Sequence, residues 1–160
     1  MTAEKLADIL ENHRKWMRNE GGCRANLSAA DLSRANLSWA NLSRAKGLLD
    51  TVNYMEAHFE RVERGYIVYK KFGVSYEPPT EWEIKPESII TETVNFDRCT
   101  ECGSGINVAP LEWVKREYPN KQIWKCLIEW PWLVGVCVPY NTDGRIRCSR
   151  VRLLEVVSDG

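Results

Sequence analysis

The sequence predicts an α+β protein: an N-terminal helix, a tight coil of five-residue repeats, a second helix, and a small antiparallel α+β unit. Three observations predict it. Leu27, Leu32, Leu37 and Leu42 recur every five residues, which matches neither the helical period of about 3.6 nor the strand period of about 2. Apolar residues at helical spacing stand on both sides of that tract. From Tyr66 onward, β-branched and aromatic runs alternate with turn residues.

Composition narrows the classes. With 44% apolar and 28% charged residues, the chain resembles a folded globular protein rather than a disordered one. Lys+Arg and Asp+Glu both total 22, so whole-chain charge makes no case for nucleic acid or a membrane. The middle is acidic and the ends mildly basic, which suits a protein partner without demanding one. The longest uncharged apolar run, Trp130 to Tyr140, holds two prolines and is far short of a membrane span. Met1 leads directly into polar sequence, which points to the cytosol. There the six cysteines are expected as reduced thiols or metal ligands rather than disulfides.

The elements follow in order. In residues 1–22 a helix is expected over 3–20, with Leu6, Ile9, Leu10, His13, Trp16 and Met17 on one face, Thr2 as cap and Gly21-Gly22 as stop. It either covers an open end of the coil or offers its stripe to a partner. Residues 23–49 are the coil. Ala25-Asn26-Leu27-Ser28-Ala29, Ala30-Asp31-Leu32-Ser33-Arg34, Ala35-Asn36-Leu37-Ser38-Trp39 and Ala40-Asn41-Leu42-Ser43-Arg44 repeat one pattern. A helix would rotate successive leucines apart, whereas a chain that turns a corner every five residues sends each Leu and Ala inward. Asn/Asp and Ser then serve the corners, where short polar side chains bond the turning backbone. A single coil leaves two ends open, so the flanking segments must cover them. Residues 50–65 read as a connecting helix over 52–64, with Val52, Met55, Phe59 and Val62 inward and Gly65 as terminator. Residues 66–160 form the α+β domain. Strands are expected at Tyr66 to Phe72, Ser88 to Val94, Ile123 to Trp130, Val134 to Tyr140 and Arg145 to Val157, with a short helix after Pro110.

The repeat tract resembles the pentapeptide-repeat family, whose consensus reads Ala-(Asp/Asn)-Leu-x-x. The resemblance implies a right-handed square β-solenoid, of which four repeats make a single coil. Long acidic members of the family mimic DNA. This tract is short and carries Arg24, Arg34, Arg44 and Lys46, so that role does not carry over. The wording AKGLLD, GYIVYK, CGSGIN and PYNTDG resembles pentapeptide-repeat proteins of phages and prophages with a C-terminal α+β unit, which implies a viral origin and no particular chemistry.

Candidate site residues divide by chemistry. Cys99 and Cys102 have the spacing of half a zinc site, with Cys126, Cys137 and Cys148 as further donors; unliganded thiols are the competing reading. Gly103-Ser104-Gly105-Ile106-Asn107 precedes the short helix and reads as a tight turn, or as a phosphate cradle at that helix's N-terminus. Arg145, Arg147, Arg150 and Arg152 form a basic cluster, either a stripe for phosphate or an acidic partner, or a charged edge strand. Trp39, flanked by Arg34 and Arg44, sits at a repeat corner expected to face outward, and Trp130 and Trp132 flank Pro131 in a loop. Exposed Trp beside Arg is what protein interfaces tend to use; packing of Trp39 against the C-terminal unit is the equal alternative.

No complete catalytic set is present, and a non-enzymatic, phage-type interaction protein is the first expectation. It would occlude a host protein or complex, such as a nucleic-acid-handling or defence complex of the CRISPR type. Two alternatives stand beside it. The order of turn, helix and strands is similar to ADP-ribosyl transferase sheets, a likeness that would place Tyr69, Ser104 or Glu155 along a cleft. The arginines and cysteines suit a zinc-stabilised nucleic-acid-binding protein.

Overall fold

A computed structural model describes residues 1–157, so the last three residues of the segment 66–160 lie outside the described residues. It combines helices with antiparallel sheets. The chain divides into two units. The first comprises Met1–Asp50, Asp97–Glu101 and Pro139–Asp143, and the second holds the remainder. Boundaries drawn along the sequence at 22, 49 and 65 have no place for the two later segments that join the first unit.

In the first unit, helix α1 spans Ala3–Met17, and Thr2 caps it by accepting the Lys5 N–H at 3.3 Å. It stops before the glycines, because Asn19 takes a left-handed φ of 57°. The Glu20 N–H then reaches the Lys15 carbonyl at 2.9 Å and the Asn19 N–H the Trp16 carbonyl at 3.2 Å, the paired bonds that close a helix C-terminus. Leu6 and His13 are buried, whereas Met17 is exposed.

The repeats turn a corner every five residues. Each Leu carbonyl (27, 32, 37, 42) accepts the N–H three residues on, at 2.8–3.0 Å. Each Asn or Asp side chain (26, 31, 36, 41) accepts the Ser N–H two residues on, at 2.9–3.1 Å. The fifth residues Ala29, Arg34, Trp39 and Arg44 lie at φ 58–65°, the third position of a turn that requires positive φ. All four leucines are buried in one cluster with Leu6, against which Ile9, Leu10, Cys99 and Tyr140 also pack. Thus α1 and the inserted segments 97–101 and 139–143 cover the coil.

The expected β-solenoid is corrected here. No strand forms in the repeats, and both sheets among the described residues lie beyond residue 59. A single turn of chain has no neighbouring coil to pair with. Pairing is confined to one parallel bridge between Asn26 and Lys46, where the chain meets its own start. There the Leu27 N–H donates to Lys46 at 2.8 Å and the Lys46 N–H to Ala25 at 2.9 Å. Gly47, at φ 73°, follows the bridge so closely that a Cβ would stand 2.1 Å from the Ser28 nitrogen.

In the second unit, α2 spans only Thr51–His58, with Tyr54 and Met55 buried and Val52 exposed. The helix expected to 64 ends early because Glu60–Val62 becomes strand β1, paired with β2 (Gly65–Lys71) in a hairpin. The other strands are β3 (Ile89–Thr91), β4 (Ile106–Val108), β5 (Ile123–Glu129), β6 (Val136–Cys137), β7 (Ile146–Cys148) and β8 (Arg150–Val157). They form one sheet of order β1-β2-β5-β8-β3 and another of order β4-β7-β6. Helix α3, Leu111–Glu117, begins after Pro110 and buries Trp113 and Val114.

Two strand expectations are corrected. Arg145 to Val157 is not one strand, since β7 and β8 belong to different sheets. They part at Ser149, whose N–H donates to Gly135 and whose carbonyl accepts the Glu92 N–H, both at 3.0 Å. Val134 to Tyr140 contracts to β6, because Trp130–Gly135 winds into a 3-10 helix with Pro131 in its first turn.

Candidate binding sites

Arg34, Trp39 and Arg44 all occupy the corner position of their repeats, where positive φ throws the side chain away from the leucine interior. Trp39 is 100% exposed. Arg34 is engaged: its guanidinium pairs with Asp143 at 2.9 Å, and its N–H donates to Asn141 at 3.0 Å. Arg44 is exposed, and its carbonyl accepts from Arg24, which lies 5.9 Å from the Trp16 ring. The three residues stand on successive corners, so they are spread around the coil instead of forming one patch.

In the second unit the expected arginine cluster is split. Arg147 is fully buried, with Nε donating to Asn95 O at 3.1 Å and Nη2 to Cys137 Sγ at 3.3 Å. It is a core residue, and its assignment as a partner anchor is corrected. Arg145 donates to Cys102 Sγ at 2.9 Å and lies 5.9 Å from the Trp113 ring. Arg150 and Arg152 share β8 and approach the Trp132 ring at 5.6 and 5.9 Å. Arg152 also bonds Glu129 at 2.8 Å, and that contact chiefly holds the Glu129 carboxyl below its usual range. Trp130 is not an open anchor either. Its indole N–H donates to Glu63 O at 2.7 Å, and its ring meets Tyr66 edge-on at 5.1 Å.

The cysteines are not gathered for zinc. Among the described residues, no group of three or more His, Cys, Asp or Glu could hold a metal ion. Cys99 donates to Ala40 O at 3.4 Å. Cys126, Cys137 and Cys148 are buried. Burial raises the Cys126 thiol and pushes Cys148 up to about 12, and their Sγ atoms face the carbonyls of Trp124 and Ile106 as protonated donors would. A thiolate is what binds metals and reacts with electrophiles. Iodoacetamide at mildly alkaline pH is therefore expected to label exposed Cys23 and Cys102 in the folded chain and to reach Cys126 and Cys148 only in denaturant. Peptide mass spectrometry reads this directly; equal labelling rates for Cys148 and Cys23 would contradict it.

The second unit also contains a cavity of about 780 Å³ whose lining includes Lys70, Lys71, Phe72, Trp82, Trp113 and Arg145. Tyr69 and Ser104 line it as well, whereas Glu155 does not. Glu155 is exposed on β8, with Lys125 at 3.7 Å. The three residues suggested by the transferase likeness therefore do not converge. Gly103-Ser104-Gly105 borders the same cavity, but it leads into β4 rather than a helix, so the helix-dipole phosphate cradle is corrected. Lys70 and Lys71 escaped the sequence reading, although two adjacent lysines closing the apolar strand Tyr66-Ile67-Val68-Tyr69 were the available signal.

Comparison with known proteins identifies one family, described as pentapeptide repeats (8 copies), which matches residues 23–46. The similarity is confined to the coil. No curated protein and no solved structure matches the chain. Among the described residues, no helix is long and apolar enough to cross a membrane.

Proposed function

We propose that this chain is a non-enzymatic protein-binding protein that uses its pentapeptide coil as a rigid scaffold and Trp39 as an anchor. The supporting observation is the complete exposure of that indole on a corner held at φ 65°. A side chain other than Gly, Asn or Asp costs roughly 1–2 kcal/mol in the left-handed region, and an exposed Trp contributes nothing to the core that would offset it. At an interface, a tryptophan anchor contributes about 2 kcal/mol or more. The corner's turn bonds fix the backbone beforehand, so binding there loses little conformational entropy.

The resemblance to phage-encoded proteins points the proposal toward a host nucleic-acid-handling or defence complex, a CRISPR-type effector among them, blocked sterically. Transfer chemistry is disfavoured by the separation of Glu155 from the Tyr69 and Ser104 cavity.

Trp39→Asn tests the proposal cleanly, because Asn tolerates positive φ and removes the indole. The variant is expected to be as stable as the parent or more stable, by up to about 1–2 kcal/mol, because it removes the left-handed penalty. Affinity capture from host lysate should lose the proteins that the parent retains. Identical retention by both chains would dismiss Trp39 as the anchor.

A further inference from the structure

We infer that the second unit binds a nucleoside phosphate in the cavity bordered by Lys70, Phe72, Trp82, Trp113 and Arg145, with the phosphate on Lys70 and Arg145 and the base against an aromatic wall. A volume of about 780 Å³ lies within the range of small-molecule sites. Its walls combine two chemistries that a nucleotide carries in one molecule.

The cationic half rests on Lys70. This residue lies within β2, paired in register with Trp124 of β5. Its ammonium donates to Asn107 O at 3.2 Å and lies 5.2 Å from the Phe72 ring. Desolvation pulls its pKa down. No carboxylate bonds it among the described residues. Lys71 is buried and donates to Tyr118 O from the opposite face of β2. An ammonium carries three donors, so Lys70 retains protons beyond its one carbonyl bond. The cavity's carboxylates do not fill the role: Glu77 is exposed, and Glu92 accepts the Thr93 N–H at 2.7 Å. A half-buried ammonium without a counter-ion is unfavourable, and a phosphate entering from solvent would relieve it.

The aromatic half rests on Phe72, which meets Trp82 edge-on at 6.2 Å, and on Trp113, beside the Arg145 guanidinium. Rings of this kind stack on any base, with little dependence on its identity. Neither half alone selects a nucleotide. Cations alone would hold inorganic phosphate, and rings alone would hold a nucleoside.

Calorimetric titration of the full chain with AMP, UMP, adenosine and inorganic phosphate tests the inference. Saturable one-to-one binding of a nucleoside monophosphate is expected, with adenosine and inorganic phosphate each about tenfold weaker or more. Lys70→Met should weaken the nucleotide by roughly ten- to a hundredfold and leave the melting temperature unchanged or higher, since it removes a partly desolvated charge with no counter-ion. Arg145→Gln reports independently, and decides the matter if Lys70→Met fails to fold. Absence of binding by both nucleotides up to about 1 mM overturns the inference. So does inorganic phosphate binding as tightly as AMP, or an affinity that neither variant changes.

Discussion

Leu37→Ala is expected to remove about 2–5 kcal/mol of stability from the coil. Leu37 is 1% exposed, and its side chain lies in a cluster with Leu27, Leu32, Leu42 and Leu6. Two features place the loss toward the upper part of that range. The remaining small residues around the interior are Ala30, Ala35, Ala40 and Ala45, which have no side-chain reach to fill a void. Each corner is also fixed by a Leu carbonyl bond and an Asx turn, so the backbone cannot readily sag inward. Almost nothing else compensates, because the coil has one bridge where a sheet would have a ladder. Hydrogen exchange at the Ala30, Ala35, Ala40 and Ala45 amides should accelerate together, since each is protected by a turn bond of the same ring. A loss below about 1 kcal/mol, or exchange that changes at Ala40 alone, would show that the leucines do not act as one interior.

The leucine interior was legible because a period of five leaves few ways to bury every Leu at once. Asn/Asp at the second position of each repeat likewise announced turns, and the side-chain bonds to Ser28, Ser33, Ser38 and Ser43 are those turns. What hid from the sequence was long-range partnership. Val52, Met55, Phe59 and Val62 read as a helix stripe, yet residues 60–62 find better backbone partners in β2. Nothing local to Asp97–Glu101 or Pro139–Asp143 marks them as parts of the first unit, although the Asn141 side chain donates to Ala35 O at 2.8 Å and the Arg98 guanidinium lies 4.1 Å from the Tyr140 ring. The candidate sites were legible in the same uneven way. Exposure of Trp39 followed from its place in the repeat. The basic cluster from Arg145 to Arg152 was visible in the sequence, but the change of sheet at Ser149 was not.

That change of sheet gives Arg147 a role opposite to the one its neighbours suggest. Arg147→Ala is expected to cost about 3–5 kcal/mol, whereas Arg150→Ala, on exposed β8 backbone, should stay within about 0.5 kcal/mol. Arg147 is 0% exposed on the central strand of the small sheet, in register with Asn107 of β4 and Cys137 of β6. Its Nε and Nη2 hold the Asn95 carbonyl and the Cys137 sulfur, so one side chain ties the sheet to the segment that precedes Cys99. Truncation withdraws those donors and opens a void. Arg147→Lys should recover only part of the loss, because an ammonium cannot reproduce the planar fork. Arg147→Met should fall between Arg147→Lys and Arg147→Ala if packing matters, and match Ala if the donors carry all of it. Denaturant unfolding of the four variants orders them. If Arg147→Ala were as mild as Arg150→Ala, the guanidinium would have to lie on the surface.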